Sequence, residues 1–252
     1  MDKLPQELID KIISSIDRTK PDGRSALCAC SRVCRSWRRQ AQKELLLDIK
    51  LSVEQLDKWH SNIPLDSEVS SYVRRLRWAI RPARRRDPFL EDYFPGRFAT
   101  FSNLEILQLS SLSLRHLRTT AIERIFDPLA YSLRHLCVAH LITDREKWCF
   151  LVSRLPNLRC LDIFSATMLE KGKPGPNLPL SFNFTGHMGA YRDNTEEFFR
   201  CISGLKPRFE SLGVPMLTGG LVDTLNLVLK SCSATLTTIT ITPLEPSKKR
   251  GG

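Results

Sequence analysis

Three cysteines, Cys28, Cys30 and Cys34, lie close enough in the sequence to suggest thiolate coordination of a soft cation. Steps of two and six residues along a helix spread them over different faces, and no fourth ligand is near, so structural thiols and no metal are expected. The five histidines, His60, His116, His135, His140 and His187, are scattered. No G-x-S-x-G, H-E-x-x-H, Walker A or G-x-G-x-x-G string occurs, so neither a catalytic centre nor a cofactor is expected. Gly172-Lys173-Pro174-Gly175 is glycine-rich but makes a poor phosphate cradle, because Pro174 and Pro176 remove N–H donors. The strongest chemical feature is a run of arginines, Arg74, Arg75, Arg77, Arg81, Arg84, Arg85 and Arg86, with no acid before Asp87. Guanidinium groups grip carboxylates and phosphates bidentately, so the run points to an acidic or phosphorylated partner. A solvated basic loop or a nucleic-acid groove competes with that reading, although Trp78 alone supplies a stacking aromatic.

The elements that position these side chains are bounded by composition. The chain has 252 residues, 26% charged and 42% hydrophobic, which suits one large domain or a small module fused to a longer one. No stretch of about 18 apolar residues suggests a transmembrane helix. The N-terminus lacks the charged-then-apolar layout of a secretory signal, so a cytoplasmic and/or nuclear protein with reduced thiols is expected from its eight cysteines. A net charge of +11 is compatible with nucleic acid, an acidic membrane surface or an acidic protein.

Pro5 and Glu7 suit the first turn of a helix, by the missing N–H and by the helix dipole respectively. Leu8 and Ile12 are four apart, as are Ile9 and Ile13, with Ile16 following, so the apolar arc is wider than one stripe and must bury two sides. Pro21-Asp22-Gly23 reads as turn chemistry closing the segment. A second series, Leu27, Cys30, Cys34, Trp37 and Ala41, steps by three and four and is helical. Some fifty residues of short helices bury too little to stand alone, so the arc requires a partner.

The pattern Leu4-Pro5-x-Glu7-Leu8-x3-Ile12-Ile13, followed by Leu27-x2-Cys30-x2-Val33-Cys34-Arg35-x-Trp37, resembles an F-box over residues 2–48, with a longer linker at Arg18–Arg24. The resemblance implies a three-helix hook that docks on the Skp adaptor, and through it on the cullin and RING subunits of a ubiquitin ligase. It also implies that the adaptor-facing positions are Leu4, Pro5, Leu8, Ile9, Ile12, Val33 and Trp37.

A second pattern fills the remainder. An L-x-x-L-x-L frame starts at Val73, Leu104, Leu133, Leu158, Phe209 and Leu236, with a weaker copy at Pro179-x2-Phe182-x-Phe184. Helix-like stretches lie between the copies, at 114–130, 143–155, 193–205 and 220–232. Such units cannot bury their apolar faces singly and stack into a solenoid. They resemble leucine-rich repeats, although the usual Asn after the strand is mostly absent, and an open parallel α/β sheet is the alternative. The expected organisation is an α/β chain: a three-helix F-box at 2–48, a linker helix at 49–72, a leucine-rich-repeat-like solenoid of parallel strands and outer helices at 73–242, and a disordered basic tail at 243–252.

Between the apolar strand positions, alternate residues point to the open face. Arg75, Arg77, Gln108, His135, Cys137, Asp162, Asn183, Thr238 and Thr240 would line it, with Arg84, Arg85 and Arg86 at its basic end. Together the two resemblances imply a non-catalytic substrate receptor of a Skp–cullin–F-box ligase, with Arg75, Arg77, Arg84, Arg85, Arg86, Gln108, His135, Asp162 and Asn183 contacting an unknown protein substrate. No membrane contact is expected. A nucleic-acid-binding or purely structural solenoid using segment 74–86 is the alternative.

Overall fold

The structure, a computed structural model, describes residues 4–64, 67–79, 98–115, 117–169, 187–190, 210–215 and 219–242. Three helices come first: α1 (Gln6–Ser14), α2 (Pro21–Val33) and α3 (Arg35–Leu46). Pro21 does not close a turn. It occupies the first turn of α2, where its missing N–H has no partner to lose. The apolar series from Leu27 to Ala41 is not one helix, because Cys34 is extended (φ −160°, ψ 176°) and divides α2 from α3. Both halves keep their phase by facing one small core of Ile9, Ile13, Leu27 and Ala41, with Ile16, Cys30, Trp37 and Leu45 packed against it.

Gly23 is set by a close approach. The turn at Asp17, where the Thr19 N–H and Oγ1 donate to the Asp17 carboxylate (3.0 and 2.6 Å), folds back onto the first turn of α2. A Cβ on Gly23 would lie 2.0 Å from the Asp17 carbonyl oxygen.

The residues after α3 depart from the expected linker helix. They form a strand, β1 (Asp48–Ser52), then α4 (Val53–Asn62) and the single turn α5 (Glu68–Ser71). The frame was already there as Leu46-x2-Ile49-x-Leu51, one unit earlier than the copies recognised from Val73 onward. A capping box starts α4: the Gln55 N–H donates to Ser52 Oγ (3.3 Å) and the Ser52 N–H to Gln55 Oε1 (2.8 Å).

β1 opens an eight-stranded parallel sheet. The other strands are β2 (Arg75–Ala79), β3 (Ile106–Leu109), β5 (His135–Val138), β7 (Cys160–Ile163), β9 (His187–Ala190), β10 (Ser211–Pro215) and β11 (Thr238–Thr242), in chain order. Three short strands, β4 (Leu112–Ser113), β6 (Leu141–Thr143) and β8 (Ala166–Met168), form a second parallel sheet. Helices α6 (Thr119–Phe126), α7 (Arg145–Ser153) and α8 (Gly219–Cys232) complete the described α-helices, and Phe98–Thr100 and Asp127–Leu129 form single 3-10 turns. Unbroken sequence order in an all-parallel sheet is the topology of a solenoid-like stack.

The register defines the repeat. Ile49, Leu76, Leu107, Leu136, Leu161, Met188, Leu212 and Ile239 align across the sheet. The sixth strand of the sheet is centred on Met188; the 179–184 copy, the 193–205 helix and the 243–252 tail lie outside the described residues. Met188 and Ala190 fit the apolar frame with less bulk than Phe182 and Phe184, which is why the sequence did not single them out. From β1 to β7 each junction repeats one backbone device. The N–H groups of Arg74 and Arg75 both donate to Leu47, those of Glu105 and Ile106 to Arg74, those of Arg134 and His135 to Glu105, and those of Arg159 and Cys160 to Arg134. Behind the sheet the strand leucines share one core with Ile122, Ile125 and Phe126 of α6, Trp148, Leu151 and Val152 of α7, and Leu225 and Val228 of α8. Fully burying each such side chain contributes roughly 1.5–3 kcal/mol. No described helix is long and apolar enough to cross a membrane.

Candidate functional site

Two surfaces stand out. The first is the outer side of the three-helix module. On α1 the two apolar stripes separate: Ile9 and Ile13 are buried, while Leu8 and Ile12 are each 46% exposed. Leu4 is 53% and Val33 64% exposed, and Pro5 is exposed beside Leu4. Large apolar side chains left in water at this density mark an interaction face. Ile9, expected on that face, is 5% exposed and belongs to the module's own core. One residue is about 100° of helix rotation, enough to move Ile9 from the outer stripe to the inner one. Trp37 is half-buried and packs on the same core.

The module is tied to the sheet. Leu45 packs against the small core and Leu46, the next residue, against the large one. The Arg39 guanidinium on α3 pairs with Glu68 of α5. A cleft of about 500 Å3 between the two parts has Arg35, Arg39, Lys43 and Arg74 in its lining, with Asp10 as its one acid.

The second surface is the open face of the sheet. One line of register runs Asp48, Arg75, Ile106, His135, Cys160, His187, Ser211 and Thr238. The parallel line runs Lys50, Arg77, Gln108, Cys137, Asp162, Gly189, Gly213 and Thr240. Arg75, Arg77, Gln108, His135 and Asp162 thus share one face of adjacent strands. Arg84, Arg85, Arg86 and Asn183 lie outside the described residues.

The arginines at the basic end carry carboxylates of this chain. Arg77 grips Asp48 bidentately, Nε to Oδ1 at 3.0 Å and Nη2 to Oδ2 at 2.7 Å, and Arg75 reaches the same carboxylate at 3.4 Å. Arg74 pairs with Glu105 at 2.7 Å. Sequence reading missed Asp48 because β1 was taken for helix, and only as a strand does Asp48 come into register with Arg75.

At the centre, His135 Nε2 lies 2.8 Å from Asp162 Oδ2, and the Cys160 thiol points to the same oxygen at 3.8 Å. The donor atoms of these three residues all fall within 4.8 Å of one another. Burial, reinforced by the Asp162 charge, pushes the Cys137 thiol up to about 11 and the Cys160 thiol up to about 12. Cys34 is the opposite case. The Ser36 hydroxyl at 3.0 Å, then the Trp37 N–H at the start of α3, hold its thiol below the ordinary range. Since the thiolate is the nucleophile, iodoacetamide at neutral pH should alkylate Cys34 at least about tenfold faster than Cys137 or Cys160. Peptide mass spectrometry over a time course checks this, and equal rates would contradict it.

Comparison with known families finds one match. Residues 1–51 fit the F-box-like family model, covering α1 to α3 and most of β1. No curated protein matches the chain.

Proposed function

We propose that the chain is a non-catalytic substrate receptor of a Skp–cullin–F-box ubiquitin ligase. The observation that carries this reading is the outer face of the F-box-like module, where Leu4 just ahead of α1, Leu8 and Ile12 on α1 and Val33 at the end of α2 stand in solvent, while the inside of the module is already filled by Ile9, Ile13 and Leu27. Such a face suits burial against a Skp adaptor, which would link the chain to the cullin and RING subunits. Leu4, Pro5, Leu8, Ile12 and Val33 would make the contact, with Trp37 supporting from beneath.

The strand-and-helix repeats act in this reading as leucine-rich-repeat-like units that hold a protein client on the open sheet face. The chain itself supplies no ligation chemistry. It raises the effective concentration of client lysines at the transferring enzyme. The protein works in the cytoplasm, the nucleus or both. Arg74, Arg75 and Arg77 already bear Asp48 and Glu105, so a phosphate or carboxylate of any partner would first displace a carboxylate of this chain there.

The test is reconstitution. The full-length chain mixed with purified Skp adaptor should elute as a one-to-one complex that then retains the cullin. A chain that elutes alone at micromolar concentration overturns the proposal, and a complex that binds adaptor but excludes the cullin overturns its ligase part.

A further inference from the structure

We propose that His135, Cys160 and Asp162 form a binding site for a divalent transition metal, with zinc the best fit, on the open face of the sheet. The donor set is one imidazole nitrogen, one thiol and one carboxylate, each an ordinary zinc ligand. Among the described residues no other three His, Cys, Asp or Glu side chains converge in this way.

The convergence follows from the fold. His135 on β5 and Cys160 on β7 are register partners, and Asp162 is two residues beyond Cys160, so it returns to the same face. Neighbouring strands stand about 4.8 Å apart, which sets the spacing of donors rooted on them. A tetrahedral shell with bonds of about 2.0–2.3 Å has ligand-to-ligand edges of roughly 3.3–3.8 Å. The Cys160 Sγ to Asp162 Oδ2 separation of 3.8 Å already matches such an edge. The His135 Nε2 to Asp162 Oδ2 separation of 2.8 Å opens to it by a small side-chain rotation. All three residues are half-buried, enough to shed part of their hydration while leaving a route for the ion.

On binding, the Cys160 thiol proton passes to solvent and the thiolate, imidazole and carboxylate take three positions. Water takes the fourth, the arrangement of zinc sites that keep an open position. Cys137, the register partner of Asp162, stands beside the shell.

The test uses metal alone. The metal-free full-length chain is titrated with Co2+, and one equivalent should raise a thiolate-to-cobalt charge-transfer absorption that Zn2+ then abolishes by displacement. Cys160→Ser should remove that absorption, and His135→Gln and Asp162→Asn should each weaken binding at least about tenfold. Cys34→Ser, altering a thiol outside the trio, should leave it unchanged. In parallel, Zn2+ should protect Cys160 of the unmutated chain from a maleimide, a reading that needs no variant to fold. No charge-transfer absorption, an absorption that survives in Cys160→Ser, or no protection of Cys160 overturns the proposal. None of these readouts involves the Skp adaptor, so their failure is distinct from failure of the receptor reading.

Discussion

Changing Leu8 and Ile12 together to aspartate is expected to weaken binding of the Skp adaptor roughly a thousandfold, about 4 kcal/mol, while the chain stays folded. The two residues are one helical turn apart on α1, and each is close to half exposed, so neither supports the module's core. In a complex they would be covered, and two carboxylates would then lie in an apolar contact without partners. Ion burial of that kind costs several kcal/mol, and the loss is not the sum of the single changes. Isothermal titration against the adaptor measures the loss, and thermal unfolding checks the fold. Ile9→Asp is the informative contrast. It should also abolish binding, but by unfolding the module, since Ile9 lies inside the small core. Full affinity in the Leu8/Ile12 variant would remove this face from the interface.

The second large effect is expected at Gly23. Gly23→Ala should destabilise the three-helix module by about 3 kcal/mol or more. The added methyl meets the Asp17 carbonyl oxygen at 2.0 Å and its carbon at 2.8 Å, both backbone atoms that no rotamer change moves aside. Relief requires unpacking the Asp17–Thr19 turn from α2. The core beneath holds four buried apolar side chains, so it has little stability in reserve. Limited proteolysis should show new cleavage near residues 15–24, and the adaptor affinity should fall with it, while the sheet keeps its protection from amide hydrogen exchange. An unchanged protease pattern would mean that the backbone yields more easily than the geometry implies.

The periodicities carried much of this arrangement, and their failures have physical causes. The two stripes of α1 were legible as an arc too wide for one contact. Which stripe faces outward was not, because that depends on where α2 and α3 pack. Leu27 and Ala41 decide it, and they lie far along the chain. Pro21 is ambiguous by nature, since proline suits a turn and the first turn of a helix equally. Residues 49–52 were read as linker helix, and Asp48 as the end of the F-box, because the Leu46 frame overlaps the end of α3, where helical spacing hides it. The ion pairs of Arg75 and Arg77 with Asp48 follow from that one strand. The His135–Cys160–Asp162 grouping was less legible still. His135 is separated from Cys160 and Asp162 by the length of a repeat, and only the register between β5 and β7 brings it to them.

The gripping of Leu45 and Leu46 by different cores has a mechanical corollary. Adjacent residues on a helix diverge by about 100°, so α3 cannot roll about its axis without prising one leucine loose. The hinge that a fused module would ordinarily have is thereby locked, and cargo on the sheet would be held at a fixed bearing from whatever machinery grasps α1. Modification would then be confined to an arc of the cargo's surface, chosen by the stiffness of one axle.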